Sequence, residues 1–336
     1  MWAALSASIV LADGGPHTVS DNSGMNPTTG TCGGCHRAHT AKGANLINAA
    51  SNTALCQTCH GSGGLGATTD VSNGVLAGTT QGLRGGGFSY ALMDTSWTAT
   101  AGNPATSRPA TSAHVIDGLT DVTMWGNGAL GTANAGTTVK LECTSCHNPH
   151  GNNSYRILRP IPIDSGATGG ITVADGTGLA YTVARTNNRY FGDSYAGWPW
   201  TYSMTQWCAQ CHTRYDAVNA SADGMGGPGH TNSGDLLFPY RHMTRFENWT
   251  NCGVCHKGPG GTGRAPDPLG VGSSGFSHEP VCLSCHVAHG SAAQMGVSAG
   301  AVAWPNGATT PSGNARSSLL RLDNRGVCQG CHDPTK

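Results

Sequence analysis

The chain has 336 residues and no net formal charge at pH 7, from 18 basic and 18 acidic side chains. That balance excludes the strongly basic surface of a nucleic-acid binder and the polybasic patch of a membrane-surface protein. Only 38% of residues are hydrophobic, 6% aromatic and 11% charged, while 51 are glycine; the chain is too uncharged for ordinary disorder and too poor in aliphatic side chains to build a large core of its own.

In chain order, the apolar opening MWAALSASIVLA reads as the tail of an export signal without its basic region. CGGCHRAH follows at Cys32–His39 and CQTCH at Cys56–His60. Residues 61–87 are glycine-dense without sustained period and read as loop. CTSCHNPH spans Cys143–His150. Residues 171–183, ITVADGTGLAYTV, place two β-branched runs around a Gly/Asp turn and predict a hairpin. CAQCH spans Cys208–His212 and CGVCH Cys252–His256, with YRHMTR just upstream of the latter and a short helix expected at TRFENW. CLSCHVAH at Cys282–His289 and CQGCH at Cys328–His332 close the series. Further short helices are expected just before the CxxCH strings, and none long enough to organise a fold. No run of about 20 apolar residues would span a membrane.

All 14 cysteines fall in these strings: Cys32, Cys35, Cys56, Cys59, Cys143, Cys146, Cys208, Cys211, Cys252, Cys255, Cys282, Cys285, Cys328 and Cys331. Disulfides would not need a histidine after every second cysteine, and zinc sites usually combine two CxxC pairs or one pair with spaced histidines. CxxCH is the attachment pattern of c-type haem. Two intervening residues span the two vinyl groups, and the next histidine falls under the ring. Seven covalent haems are therefore expected, with His36, His60, His147, His212, His256, His286 and His332 as proximal iron ligands.

Seven porphyrins supply the missing core. Burying a few hundred Å² of each, at roughly 25 cal/mol/Å², contributes several kcal/mol per haem. The expected fold class is a mostly irregular multihaem cytochrome with few short helices and small β-hairpins around a stacked chain of seven haems. Loading also adds about −7 of charge when oxidised and −14 when reduced. Arg156, Arg159, Arg185, Arg189, Arg241, Arg245, Arg321 and Arg325 are candidates to hold propionates, because guanidinium grips carboxylate bidentately.

Eight histidines lie outside the attachment strings: His17, His39, His114, His150, His230, His242, His278 and His289. They nearly match seven vacant sixth positions, and no methionine recurs at a fixed offset, so bis-histidine ligation is expected with His230 the first choice for a spare. In CxxCHxxH, two histidines on one face of a short helix cannot grip both sides of one iron, so the second must serve another haem or none. Three extended strings, each followed by a simpler one, give two-haem units at about 17–60, 114–212 and 278–332. The corresponding segments are 1–113, 114–212, a linker 213–277 carrying the extra haem on His256, and 278–336, all within one haem-packed domain.

The paired strings resemble the doubled-CxxCH multihaem cytochromes. The order SAHVIDG, CTSCHNPHGNNSYRI, WCAQCH, CLSCHVAHG and a terminal CQGCHD resembles, within them, the OmcS-type extracellular cytochrome nanowire family. That resemblance covers the motif framework; the seventh string, at Cys252–His256, departs from it. It implies closely stacked bis-histidine haems, homopolymerisation and electron conduction outside the cell after export. Partners would be further copies of the chain, other electron-transfer cytochromes and extracellular acceptors, with no nucleic acid and no membrane span.

With sequence order it also pairs His17 with the haem on His60, His114 with that on His212, and His278 with that on His332. The haem on His256 takes His242 or His230. The family's backward stitch puts His289 on the haem of His147 and His150 on that of His36. His39 then has no earlier unit to reach and the haem on His286 lacks a ligand, which points to His39 as an inter-subunit ligand in a head-to-tail polymer. The competing readings are a monomeric periplasmic or surface carrier and a multihaem reductase; the reductase needs an open iron, which the histidine supply disfavours, so no catalytic residue is assigned.

Overall fold

The computed structural model describes residues 17, 31–64, 67–77, 82–93, 106–128, 136–173, 182–183, 198–216, 282–295 and 317–325. Their architecture is mostly coil, with short helices and small antiparallel sheets. The helices are α1 (Thr31–Cys35), α2 (Asn52–His60), α3 (Cys143–Cys146), α4 (Trp198–Cys208) and α5 (Cys282–Cys285). The longest of these has 11 residues, and no described helix is long and apolar enough to cross a membrane.

Each helix exists to present one attachment string. In α1, α3 and α5 a single turn is closed by the histidine N–H on the first cysteine's carbonyl: His36 to Cys32 at 2.7 Å, and His147 to Cys143 and His286 to Cys282 at 3.0 Å. One turn brings both cysteines toward one side. Helix α2 is longer because Ser51 caps it, its hydroxyl accepting Ala54 N–H at 3.1 Å. The helices expected just upstream of the strings are α2 and α4; α1, α3 and α5 begin at the string or one residue before it.

Ten two- to four-residue strands link these turns: β1 (Thr69–Asp70), β2 (Val75–Leu76), β3 (Gly82–Leu83), β4 (Tyr90–Met93), β5 (Thr106–Pro109), β6 (Ser112–Ala113), β7 (Val122–Thr123), β8 (Thr138–Val139), β9 (Thr182–Val183) and β10 (Gly290–Ser291). They form a four-stranded sheet β1-β2-β3-β9 and the pairs β4–β5, β6–β10 and β7–β8, all antiparallel.

One expectation is corrected. The glycine-dense stretch is a meander: Asp70 accepts from Ser72 and Asn73 N–H at 3.0 Å and Gly74 turns at φ +64°, which reverses the chain between β1 and β2. Of the expected 171–183 hairpin, residues 174–181 lie outside the described residues, and its described ends pair with other segments. Val173 and Ile171 lie along 155–160, through Tyr155 N–H to Val173 O and Ile171 N–H to Pro160 O, both 2.8 Å, while β9 pairs with β3.

The described apolar core is small and divided. Ala91, Met93, Val287 and Ala292 form one cluster, Leu158, Val173 and Met204 a second, Ala293 and Met295 a third. A hydroxyl network ties the distant segments around the first and third: Ser112 Oγ meets Ser317 Oγ at 2.5 Å and accepts Leu319 N–H at 2.7 Å, while Ser291 donates to Leu320 O at 2.5 Å.

Candidate haem-binding sites

The helix stops at the second cysteine. His147 is extended, with φ −109° and ψ 143°. His36, His147 and His286 each form a bridge to a later segment, at Ile47, Leu158 and Leu320. The two histidines of CxxCHxxH therefore do not share a helical face, contrary to the premise drawn from spacing, because the chain leaves the helix before the first of them.

Three equivalent segments orient these histidines, and sequence reasoning missed them. In NLIN, RILR and SLLR, two successive residues sit in the left-handed region: Asn45 and Leu46 at φ 57° and 59°, Arg156 and Ile157 at 53° and 54°, Ser318 and Leu319 at 52° and 60°. The carbonyl of the first accepts the proximal Nδ1–H: His36 to Asn45 O, His147 to Arg156 O and His286 to Ser318 O, each 2.9 Å. A carbonyl can only accept, so Nδ1 carries the proton and Nε2 keeps its lone pair for a metal. His212 Nδ1 donates likewise to Trp125 O at 2.5 Å. His60 Nδ1 lies 3.0 Å from Thr69 Oγ1. The legible signal was a short apolar pair flanked by Asn or Arg, nine residues after His36 and His147 but 32 after His286.

The structure brings four expected histidine pairs together. Ring centroids are 6.1 Å apart for His17 and His60, 6.2 Å for His36 and His150, 6.5 Å for His114 and His212, and 6.4 Å for His147 and His289. Two imidazoles on opposite sides of one metal, at about 2.0 Å per bond and with centroids about 1.1 Å further out, lie about 6.2 Å apart. The donor set and spacing thus fit a bis-histidine iron beside the thiol pairs of His36, His60, His147 and His212. Burial holds the His147 and His289 imidazoles below the ordinary histidine range, His289 at about 3, where the neighbouring His147 adds to the effect. They are neutral at pH 7, as metal ligands must be.

The attachment thiols form a continuous series. Cys35 lies within electrostatic reach of Cys59, Cys146 of Cys211, Cys56 of Cys143 and Cys208 of Cys282. Second cysteines meet within a unit and first cysteines meet between units. Helix α2 packs on α3, and α4 on α5. Glu142 fastens the first of these contacts: its carboxylate accepts Asn52 N–H at 3.1 Å and Asn52 Nδ2–H at 2.6 Å, while its own N–H donates to Ser145 Oγ at 3.0 Å.

The junctions also repeat. His17 Nδ1 donates to Pro149 O at 3.1 Å and His114 Nδ1 to Ala288 O at 2.7 Å. In each case the acceptor is the residue before the second histidine of the next extended string. The matching residue of the first string is Ala38, which is exposed together with Arg37, His39 and Thr40. Cys32 is the one exposed cysteine among the described ten. Neither His39 nor His286 has a histidine ring opposite it among the described residues.

His230, His242, His256, His278, His332, Cys252, Cys255, Cys328, Cys331, Arg185, Arg189, Arg241 and Arg245, with the helix expected at TRFENW, lie outside the described residues. Of the remaining arginines, Arg159 Nε donates to Thr144 O at 2.6 Å and Arg321 Nε to Leu283 O at 2.7 Å, so both brace the carbonyl after a first cysteine. Arg156 lies over the Tyr155 ring at 5.2 Å.

Residues 26–64 match the family described as the doubled CXXCH motif. The C-type cytochrome OmcS of Geobacter sulfurreducens is 26% identical over 338 residues, covering 77% of this chain and 76% of that protein. The solved OmcS nanowires from the same organism, determined by cryo-EM, align over 89% of this chain and 92% of theirs at 17% identity, with a TM-score of 0.38, too low to bear on the fold. The attachment strings, the matched doubled motif and the 26% identity to OmcS make this chain similar to the multihaem c-type cytochromes of the OmcS type.

Proposed function

We propose that the chain is a heptahaem subunit that polymerises head to tail into an extracellular electron-conducting filament, with every iron held by two histidines. The observation that carries this reading is the set of four histidine pairs at 6.1–6.5 Å, two of which join different two-haem units. His150 reaches back to His36 and His289 to His147, so each unit completes the one before it. When bound, haem iron would supply one-electron redox chemistry, and the paired imidazoles would ligate it and leave no open position for a substrate. The serial approach of thiols from Cys35 to Cys282 supports an unbroken path along the subunit.

Polymerisation is supported by what the first and last units lack. Pro149 and Ala288 accept from His17 and His114 of an upstream unit, Ala38 has no such donor among the described residues, and Cys32 is exposed where Cys143 and Cys282 are half-buried. His39 of one subunit ligates the iron carried by His286 of the next, a head-to-tail contact that does not close on itself. His278 serves the haem on His332, and His242 that on His256, with His230 spare. The filament takes electrons from other cytochromes and passes them to extracellular acceptors.

Negative-stain microscopy of the purified protein tests the assembly, with filaments expected and discrete particles counting for a monomeric carrier. His39→Ala should load seven haems yet fail to polymerise stably, and its haem on His286 should bind exogenous imidazole. Normal filaments with all haems low-spin in that variant would sink the inter-subunit ligand. Carbon monoxide should leave the spectrum of the reduced wild type unchanged; substantial binding would reveal an open iron and favour a reductase.

A further inference from the structure

We propose that Gly85–Phe88 is a clamp that positions His289 as the sixth ligand of the haem carried by His147. The proposal rests on the bis-histidine reading above. His289 differs from its peers. Seven other histidines, His17, His36, His60, His114, His147, His212 and His286, have Nδ1 against a backbone or hydroxyl oxygen. The His289 Nδ1 is buried with no hydrogen-bond partner. The Gly86 backbone lies beside the ring without completing a hydrogen bond to Nδ1, so the ring's orientation falls to how this segment packs against it.

Packing supplies that orientation. The Phe88 ring stacks on the imidazole at 4.8 Å and 25°. His289 N–H donates to Gly85 O at 2.7 Å, and Gly86 bridges Gly290 in parallel. The two backbones approach so closely that side chains do not fit. A Cβ on Gly86, where φ is +72°, would lie 1.9 Å from Gly290 O, and one on Gly290 would lie 2.2 Å from Gly87 O. A Cβ on Gly85 would press on His289 Nδ1 at 3.0 Å. The RGGGFSY run is thus a backbone cradle with an aromatic lid: the glycines set the height of the imidazole and Phe88 fixes its plane. His150, the equivalent ligand one unit earlier, is exposed and has no such cradle among the described contacts, so the device belongs to the middle of the chain of sites.

The test uses the full-length haem-loaded protein and carbon monoxide added after chemical reduction. His289→Ala should create one carbon-monoxide-binding haem per subunit where the wild type has none. Gly86→Ala and Phe88→Leu should open a substantial fraction of the same haem, with high-spin character in the oxidised spectrum. Phe88→Tyr, which keeps the ring, should remain closed, as should Gly169→Ala, where an added Cβ meets nothing within 4 Å. If His289→Ala opens a site but Gly86→Ala and Phe88→Leu both stay fully low-spin, the clamp is overturned while the ligand assignment survives. If His289→Ala opens no site, the ligand assignment fails and takes the clamp with it. Phe88→Leu alone keeps the test decisive should Gly86→Ala not fold.

Discussion

Glu142 shows how one side chain can set the distance between two redox sites. It sits one residue before Cys143 yet spends its carboxylate on Asn52 at the start of α2, where the helix dipole favours negative charge. Glu142→Ala should cost about 1–2 kcal/mol, the usual worth of charge-assisted hydrogen bonds that are partly exposed. A lower urea midpoint with unchanged haem content would show this; an unchanged midpoint would contradict it. The buried imidazoles give a pH dependence of defined sign. His147 and His289 titrate below the ordinary value, His289 at about 3. As pH falls below about 6.5, the unfolded chain takes up protons that the folded chain refuses, so stability drops with falling pH toward about 3. Acid titration followed by the Soret band should therefore show loss of the low-spin spectrum within that window, and no comparable loss between pH 7 and 9.

The left-handed residue pairs at 45–46, 156–157 and 318–319 are the elements that aim the proximal histidines. They are non-glycine residues in a conformation costing about 1–2 kcal/mol each. The useful atom in each is a carbonyl, which any residue provides, so side-chain identity is free only if the backbone can reach the region. Ser318→Gly should keep the Ser318 O acceptor for His286 and raise stability by up to about 1 kcal/mol. Ser318→Val should destabilise by more than 1 kcal/mol, since β-branching resists positive φ. Thermal denaturation of the two variants distinguishes them, and a stabilised valine variant would refute the strain argument. Neither hydrophobic period nor turn residue marks these elements, and the apolar pair they share is too short to stand out along the chain. NLIN, RILR and SLLR share a shape only once their carbonyls are seen against the histidines.

At the scale of the molecule, the described apolar clusters contain four, three and two buried residues. Such clusters cannot offset the conformational entropy of ordering so many loop residues. Haem removal is therefore expected to abolish the fold rather than weaken it. The chain expressed without haem attachment should lack a cooperative thermal transition and be digested rapidly by protease at concentrations the loaded protein resists. A protease-resistant, cooperatively melting apoprotein would show that the polypeptide has a sufficient core of its own. The same dependence explains why distant segments converge. Strand β6 pairs with β10 across nearly 180 residues, and His114 crosses a similar interval to Ala288, contacts that matter because they place ligands on neighbouring units.

The sequence by itself carried the chemical expectation: the CxxCH spacing is that of haem attachment, and eight histidines outside the seven strings nearly match the sixth positions that seven haems would need. Covalent attachment and coordination are local demands on residue type and interval, so they are legible without a fold. It also carried the coil-rich character, because glycine abundance and scarce aliphatic residues limit any other core. Tertiary structure alone decided the rest. It turned the glycine-dense stretch into a meander, placed 182–183 on β3, and ended α1, α3 and α5 before their proximal histidines. It also made RGGGF the cradle of a histidine some 200 residues away, through His289 N–H and Gly85 O. Those outcomes depend on which backbones can approach within hydrogen-bonding distance, and a close approach between segments far apart in sequence leaves no periodicity in either of them.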